Sequence, residues 1–372
     1  MKPGFFSRFT RHCLLGLGLA GACVPALAQA EQADRLVIFD DDGFALAQWM
    51  VLKSPHVRVL GFATVSGDFW QKEATAYALR GLEIANKTEV PVVPGATYPL
   101  MNSEKLTERW EALYGKLIWK GAWMKKWVEK TNQPLPPYHP ADVVPDLPWG
   151  NPKLKPSAEN AASFMLRMVH QYPGQITIIE SGPMTNLALA QKMDPQFASL
   201  AKELVYMGGS LNPQQKLNSP AAAQFAREFV NSPRREFNIR FDPEAASIVM
   251  HAPWKHILMV PVDPSTETEM SAEFVKDITQ SDTPIARIMR KSANNFPLWD
   301  EIAAAVWLDP SLIRTSAELY VDVNTAFSAQ YGDILSWMEG YQPGLDEQKE
   351  KVVLTVDVPR MKALIKELIA QP

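Results

Sequence analysis

Apolar positions in this chain come in short blocks whose spacing switches between strand-like and helix-like. Residues 35–39 (Arg-Leu-Val-Ile-Phe) form a β-branched apolar run that stops at three aspartates and Gly43. That is the pattern of a buried parallel strand whose carboxyl end opens onto a site. Residues 45–52 follow with helical spacing, 57–64 read as a second strand and 72–85 as a second helix. The order returns with a strand at 175–180 and a helix at 186–192, then strands at 204–207 and 256–260 on either side of a helix at 243–250. A helix at 301–308, strand-like runs at 319–323 and 352–358 and a final helix at 360–370 complete the pattern. Such alternation predicts an α/β fold: a mainly parallel central sheet with helices on both faces, an open Rossmann-like core.

In sheets of this kind ligands bind beyond the carboxyl ends of the strands. Polar signals fall at those ends: Asp40 to Asp42, Ser66 to Asp68, Ser181-Gly182 and Gly208-Gly209. Four strand ends are therefore expected to converge on one crevice.

The first thirty residues depart from the pattern. Lys2, Arg8 and Arg11 precede an apolar run from Leu14 to Ala28 that ends in Ala26-Leu27-Ala28-Gln29-Ala30. A basic start, a short apolar stretch and small residues at the end predict an export signal over residues 1–30. A lipoprotein reading would use Cys23, but Ala20 stands where a branched residue is wanted. The expected product is periplasmic or secreted, begins near Glu31 and has no stable membrane span. Residues 31–372 are expected to form a single domain, with 110–156 as a covering segment in which Trp119, Trp123, Trp127 and Trp149 mix with many prolines.

Composition narrows the chemistry. Both cysteines, Cys13 and Cys23, lie inside the signal, so the mature chain has neither a disulfide nor a thiol nucleophile. Loss of three basic residues with the signal moves the formal charge from −4 to −7, which argues against a nucleic-acid partner. The five mature histidines are scattered, giving no zinc-like cluster.

Three adjacent carboxylates at a buried strand end repel one another unless a cation neutralises them or some keep their protons. Oxygen-only ligation points to calcium or magnesium. A plainer alternative has Asp41 to Gly43 forming a turn that caps the next helix. The run Phe39-Asp40-Asp41-Asp42-Gly43 also resembles the D-x-D-G opening of haloacid-dehalogenase-type phosphatases. On that reading Asp40 and Asp42 would serve a magnesium-dependent phosphohydrolase.

The rest of the chain separates these readings. Ser181-Gly182-Pro183-Met184-Thr185-Asn186-Leu187-Ala188 resembles the G-P-L-T-N-L-A segment of the nucleoside hydrolases. Met207-Gly208-Gly209, Glu236-Phe237-Asn238 with Asp242-Pro243-Glu244-Ala245-Ala246, and Trp299-Asp300 follow in that family's order. Together with the aspartates after the first strand and Pro91-Val92-Val93-Pro94-Gly95, these pieces span nearly the whole mature chain.

The resemblance implies hydrolysis of the N-glycosidic bond of a small-molecule ribonucleoside, in which one calcium ion holds a water and the ribose hydroxyls. Carried over by position, Asp42 is general base and metal ligand, and Asp40, the main-chain carbonyl of Ser181 and Asp300 are further ligands. Asp68, Glu236 and Asn238 bind sugar hydroxyls, and Met207 lines the ribose pocket. Trp299 stands where purine-specific members carry Trp-Asp, so its indole can stack on a base, with Trp70 on the other face. Simpler roles compete: Asp68 capping the helix near Gln71, and Glu236 and Asn238 closing a loop. A homo-oligomer is compatible with all of this.

One departure from the family pattern stands out. The usual opening, D-x-D-x(3)-D-D, supplies a second carboxylate pair, whereas this chain has Gly43-Phe44-Ala45-Leu46-Ala47. Loss of a bidentate ligand weakens a calcium site unless Asp40, Asp41 or waters replace it. A non-catalytic exported binding protein on the same scaffold is the alternative reading.

Overall fold

Strand β1 (Arg35–Asp41) is the axis of the sheet, because Val37, Ile38 and Phe39 are all fully buried and project alternately to its two faces. In the computed structural model, residues 34–128, 135–211, 236–292 and 295–371 are described. The predicted export signal lies outside them, as does the stretch 212–235. The residues from Asp34 onward form one compact unit.

The other strands are β2 (Val57–Thr64), β3 (Val92–Pro94), β4 (Ile176–Glu180), β5 (Glu203–Met207), β6 (Ile257–Val260), β7 (Ile313–Val323), β8 (Ile334–Trp337) and β9 (Gln348–Val356). Their order in the sheet is β3-β2-β1-β4-β5-β6-β9-β7-β8. Strands β3 through β9 in that order pair in parallel, and β7 runs antiparallel to both β9 and β8. The mainly parallel sheet expected from the alternating blocks is therefore present, with an antiparallel edge.

The described helices are α1 (Leu46–Lys53), α2 (Gln71–Ala85), α3 (Glu104–Tyr114), α4 (Ala161–Gln171), α5 (Thr185–Met193), α6 (Phe197–Leu200), α7 (Phe237–Phe241), α8 (Pro243–Met250), α9 (Ala272–Ile278), α10 (Pro284–Met289), α11 (Asp300–Leu308) and α12 (Val358–Ala370). One apolar layer gathers α1, α2 and α9 to α12 under one face of the sheet, and a second gathers α4, α5 and α8 under the other. Among the described residues no helix is long and apolar enough to cross a membrane.

The chain leaves β1 toward β2 and β3 on one side, then returns to build β4, β5 and β6 on the other. The order in which strands are added reverses between β1 and β4, which stay paired to Asp40 and Glu180, so the loops that follow these two strands lead to opposite sides and leave a crevice beyond them. That reversal positions the site.

The covering segment is partly regular. Trp110 belongs to α3 and is fully buried, Trp123 closes a short 3-10 turn, and Trp149 packs on Trp49 with ring centroids 5.3 Å apart. Arg80 Nε donates to the Trp149 carbonyl at 2.8 Å, and His139 meets Glu73 at 3.0 Å. The segment is thereby fastened along α2. Residues 129–134 of it lie outside the described residues.

One buried pair gives the fold a pH dependence of its own. Tyr206 donates to Glu350 at 2.6 Å, linking β5 to β9, and both residues are fully buried. Burial pushes the Glu350 carboxyl up to about 8, so the folded protein keeps a proton that the unfolded chain gives up at roughly pH 4. The native state binds more protons across that window, and stability falls as pH rises through it, by at most about 1.4 kcal/mol per unit from this group. Glu350→Gln should flatten the slope of unfolding free energy measured by urea titration between pH 5 and pH 8; an unchanged slope would refute this.

Candidate active site

Asp42 occupies the first position past β1, where the backbone leaves the sheet and the side chain turns into the crevice. Its Oδ2 accepts the backbone N–H of Asp68 at 2.7 Å, tying the end of β1 to the loop after β2. The approach is close enough to require glycine on two sides. A Cβ at Gly67 would stand 2.0 Å from Asp42 Oδ2, and one at Gly182 would stand 2.9 Å from Asp42 N.

A single cavity draws residues from all four predicted strand ends. Asp42, Asp68, Glu236 and Asp300 give it four carboxyl groups, and Ser181, Met207, Asn238 and Trp299, also named from the sequence, line it with them. Trp119, Phe237, Val262 and Phe296 also line it, and none of these was singled out as a site residue by the sequence. The lining contains no lysine or arginine among the described residues.

Two named residues are elsewhere. Asp40 lies two positions deeper than Asp42: it is in register with Glu180 on β4 and fully buried, with Oδ1 accepting from Asn186 Nδ2 at 3.0 Å. Trp70 turns away at the start of α2, donates to the His139 carbonyl at 2.8 Å and packs with Trp123 and Phe241. Neither lines the cavity.

The competing local roles resolve residue by residue. Asp41 forms the turn, with Oδ1 accepting from Gly43 N and Oδ2 from Ser181 Oγ, both at 3.0 Å. Asp68 does not cap α2: Ser66 Oγ accepts the Gln71 N–H at 2.8 Å instead. Glu236 does cap α7, since its carboxylate takes N–H groups from Asn238 and Ile239, and from Gly209, at 2.8 to 3.0 Å. Asn238 spends its amide N–H groups on the carbonyls of Ser181 and Met207 at 3.0 and 3.2 Å. The short helix α7 thus both seals the loop and faces the cavity.

Electrostatically the site is strained toward negative charge. Burial, then the charges of Asp68 and Asp41, hold the Asp42 carboxyl well above its usual range. Asp300, in the first turn of α11, is raised well above its range by burial and then by Asp41 and Glu301. Glu236 is also raised by burial, against the three N–H groups it accepts. A cation among these groups would draw their protons off.

The donors suit a hard ion. Asp42, Asp300 and Ser181 all line the cavity and offer only oxygen donors, and among the described residues no hydrogen bond reaches the Asp300 carboxylate. Among those residues no three acidic, histidine or cysteine side chains stand together as a metal group. A calcium ion held here would need the main-chain carbonyl and waters to complete its six to eight oxygens.

Comparison with known proteins bears on the same residues. The chain matches the inosine-uridine preferring nucleoside hydrolase profile over residues 37–363. It is 27% identical to a probable uridine nucleosidase 1 of Oryza sativa subsp. japonica, over 91% of this chain and 97% of the relative. It is 25% identical to the pyrimidine-specific ribonucleoside hydrolase RihA of Escherichia coli, over 86% and 91%. Among solved structures, the plant nucleoside hydrolase PpNRh1 superposes with a TM-score of 0.66 at 24% identity, covering 91% of this chain and 99% of that one. An inosine-guanosine nucleoside hydrolase gives 0.69 at 16% identity with the same coverage. These two likenesses establish the fold.

Proposed function

Because the chain belongs to the inosine-uridine preferring nucleoside hydrolase family, we propose that it hydrolyses the N-glycosidic bond of ribonucleosides to free base and ribose in the cavity beyond β1, β2, β4 and β5. The observation that carries this reading is the gathering of Asp42, Asp68, Glu236 and Asp300 around one cavity that four aromatic side chains, Trp119, Phe237, Phe296 and Trp299, also line. Departure of the base leaves positive charge on the ribose ring, and carboxylates aimed at that ring stabilise it.

Asp42 is the general base, taking a proton from water as its oxygen attacks the anomeric carbon while the C–N electron pair leaves with the base. The Asp68 N–H and the two close glycines fix Asp42 in place. Asp42, Asp300 and the Ser181 carbonyl would hold a calcium ion, which would supply Lewis-acid polarisation and offset the acidic cluster. Asp68, Glu236 and Asn238 contact sugar hydroxyls; Asn238, with both N–H groups spent, offers its amide oxygen as acceptor. Met207 supplies an apolar surface under the ribose. Trp299, tilted against Phe296 at 6.1 Å, stacks on the base.

The chain takes this form without the family's second carboxylate pair. Ala45 is the N-cap of α1 and Leu46 is fully buried in the core, so that stretch has become packing. A phosphohydrolase using Asp40 and Asp42 together is disfavoured, since Asp40 is enclosed by Asn186 and the sheet.

The test is direct: incubate the purified mature protein with a panel of ribonucleosides, with calcium or with a chelator, and measure free ribose. Release from at least one nucleoside, lost on chelation, is expected. No release from any, with no calcium binding by calorimetry, would overturn the reading.

A further inference from the structure

Trp119 reaches the cavity from the covering segment, 51 residues along the chain from the aspartate it meets. Its indole Nε1 donates to Asp68 Oδ1, its ring forms part of the cavity wall, and that ring stacks on Trp127 with centroids 5.3 Å apart. The turn carrying it is clamped to the loop after β2. Ala122 N–H donates to the Gly67 carbonyl at 2.8 Å, and Gly121, at φ +52°, sits where a Cβ would stand 2.0 Å from that same oxygen. On the other side, Glu111 fastens the turn through Leu117 N–H at 3.0 Å and Lys120 Nζ at 3.1 Å.

Asp68 is consequently held from two directions. Its backbone N–H points to Asp42, and its side chain is tied to Trp119. A carboxylate at an open rim turns freely between rotamers, and its ordering is a cost that substrate binding must meet. With one oxygen tied, the other has a defined direction before the substrate arrives.

We propose that Trp119 is a positioning residue for sugar recognition: its indole N–H fixes the Asp68 carboxylate so that the free oxygen meets a ribose hydroxyl. The inference rests on the hydrolase reading and deepens it, because it makes the covering segment part of the sugar site. Two other roles for Trp119 predict different results. A ring that acts by stacking alone is retained in phenylalanine, and a ring that serves only to pack the segment acts independently of Asp68.

The experiment is a double-mutant cycle on the mature protein with Trp119→Phe, Asp68→Ala and both together, reading kcat and KM for the best ribonucleoside and its affinity by calorimetry. Trp119→Phe keeps the ring and removes the N–H, and should raise KM about tenfold with kcat changed less than about threefold. In the Asp68→Ala background the same substitution should cost less than about twofold, because the group it acts through is gone. Unfolding temperatures check that all variants are folded. An unchanged KM in Trp119→Phe, or an equal penalty with and without Asp68, would overturn the role of Trp119 while leaving the hydrolase reading intact. A wild-type protein that neither binds nor cleaves any ribonucleoside would overturn both.

Discussion

Replacing Asp42 with asparagine should lower ribose release about a thousandfold or more while leaving the fold intact. The substitution is nearly isosteric, and an amide oxygen can still accept the Asp68 N–H that meets Asp42 Oδ2 at 2.7 Å. The loop after β2 and the close approach of Gly67 and Gly182 are therefore preserved. What disappears is the ability to take a proton and one negative charge facing the ribose ring, losses that together reach about three orders of magnitude. Single-turnover ribose release and thermal unfolding, measured on the same preparation, separate loss of chemistry from loss of structure. A rate within tenfold of wild type would mean that the base lies elsewhere.

Asp300→Ala should weaken calcium binding without destabilising the metal-free protein. Asp300 enters the cavity from the first turn of α11, and its carboxyl is raised by burial and by the charges of Asp41, Glu301, Asp68 and Glu236. Its removal takes an anionic oxygen donor from the cation site, so calcium affinity by calorimetry should fall at least about a hundredfold. In chelator, however, the same change removes the cost of burying that carboxyl among other acids, so the metal-free protein should unfold at the same or a higher temperature. A ligand whose only role is structural would instead lower the unfolding temperature under both conditions. Unchanged calcium affinity would remove Asp300 from the site.

Much of the cavity lining was legible because its residues lie where strands stop. Asp42, Asp68, Ser181 and Met207 follow or end short, β-branched apolar runs with strand-like length, and Glu236, Asn238 and Asp300 stand in recognisable local motifs. Two named residues lie outside the cavity lining, one for a local reason and one for a tertiary one. Asp40 and Asp42 share a face by the period of two, but β1 ends at Asp41, so Asp40 is still inside the sheet beside Glu180. Trp70 begins α2, and contacts with Trp123, Phe241 and the His139 carbonyl, all distant in sequence, decide which way its ring faces.

Trp119 was hidden for the opposite reason. The Trp-rich stretch has no period that predicts a regular element, and its tryptophans are indistinguishable as letters: Trp110 and Trp123 are core, Trp149 packs on Trp49, and Trp119 alone of these reaches the cavity. Short elements were also missed, among them the three-residue β3 and edge strand β8, since three or four residues carry too little pattern.

The aspartates after the first strand, the alternation of the main strands with helices and the family motifs were determined by sequence alone, because burial and main-chain pairing impose local periods on the chain. Tertiary structure decided which carboxylates share the cavity, and that Glu236 both caps a helix and faces it. It also decided that the covering segment brings an indole to Asp68. Those outcomes depend on contacts between segments tens to hundreds of residues apart, whose relative placement no local period encodes.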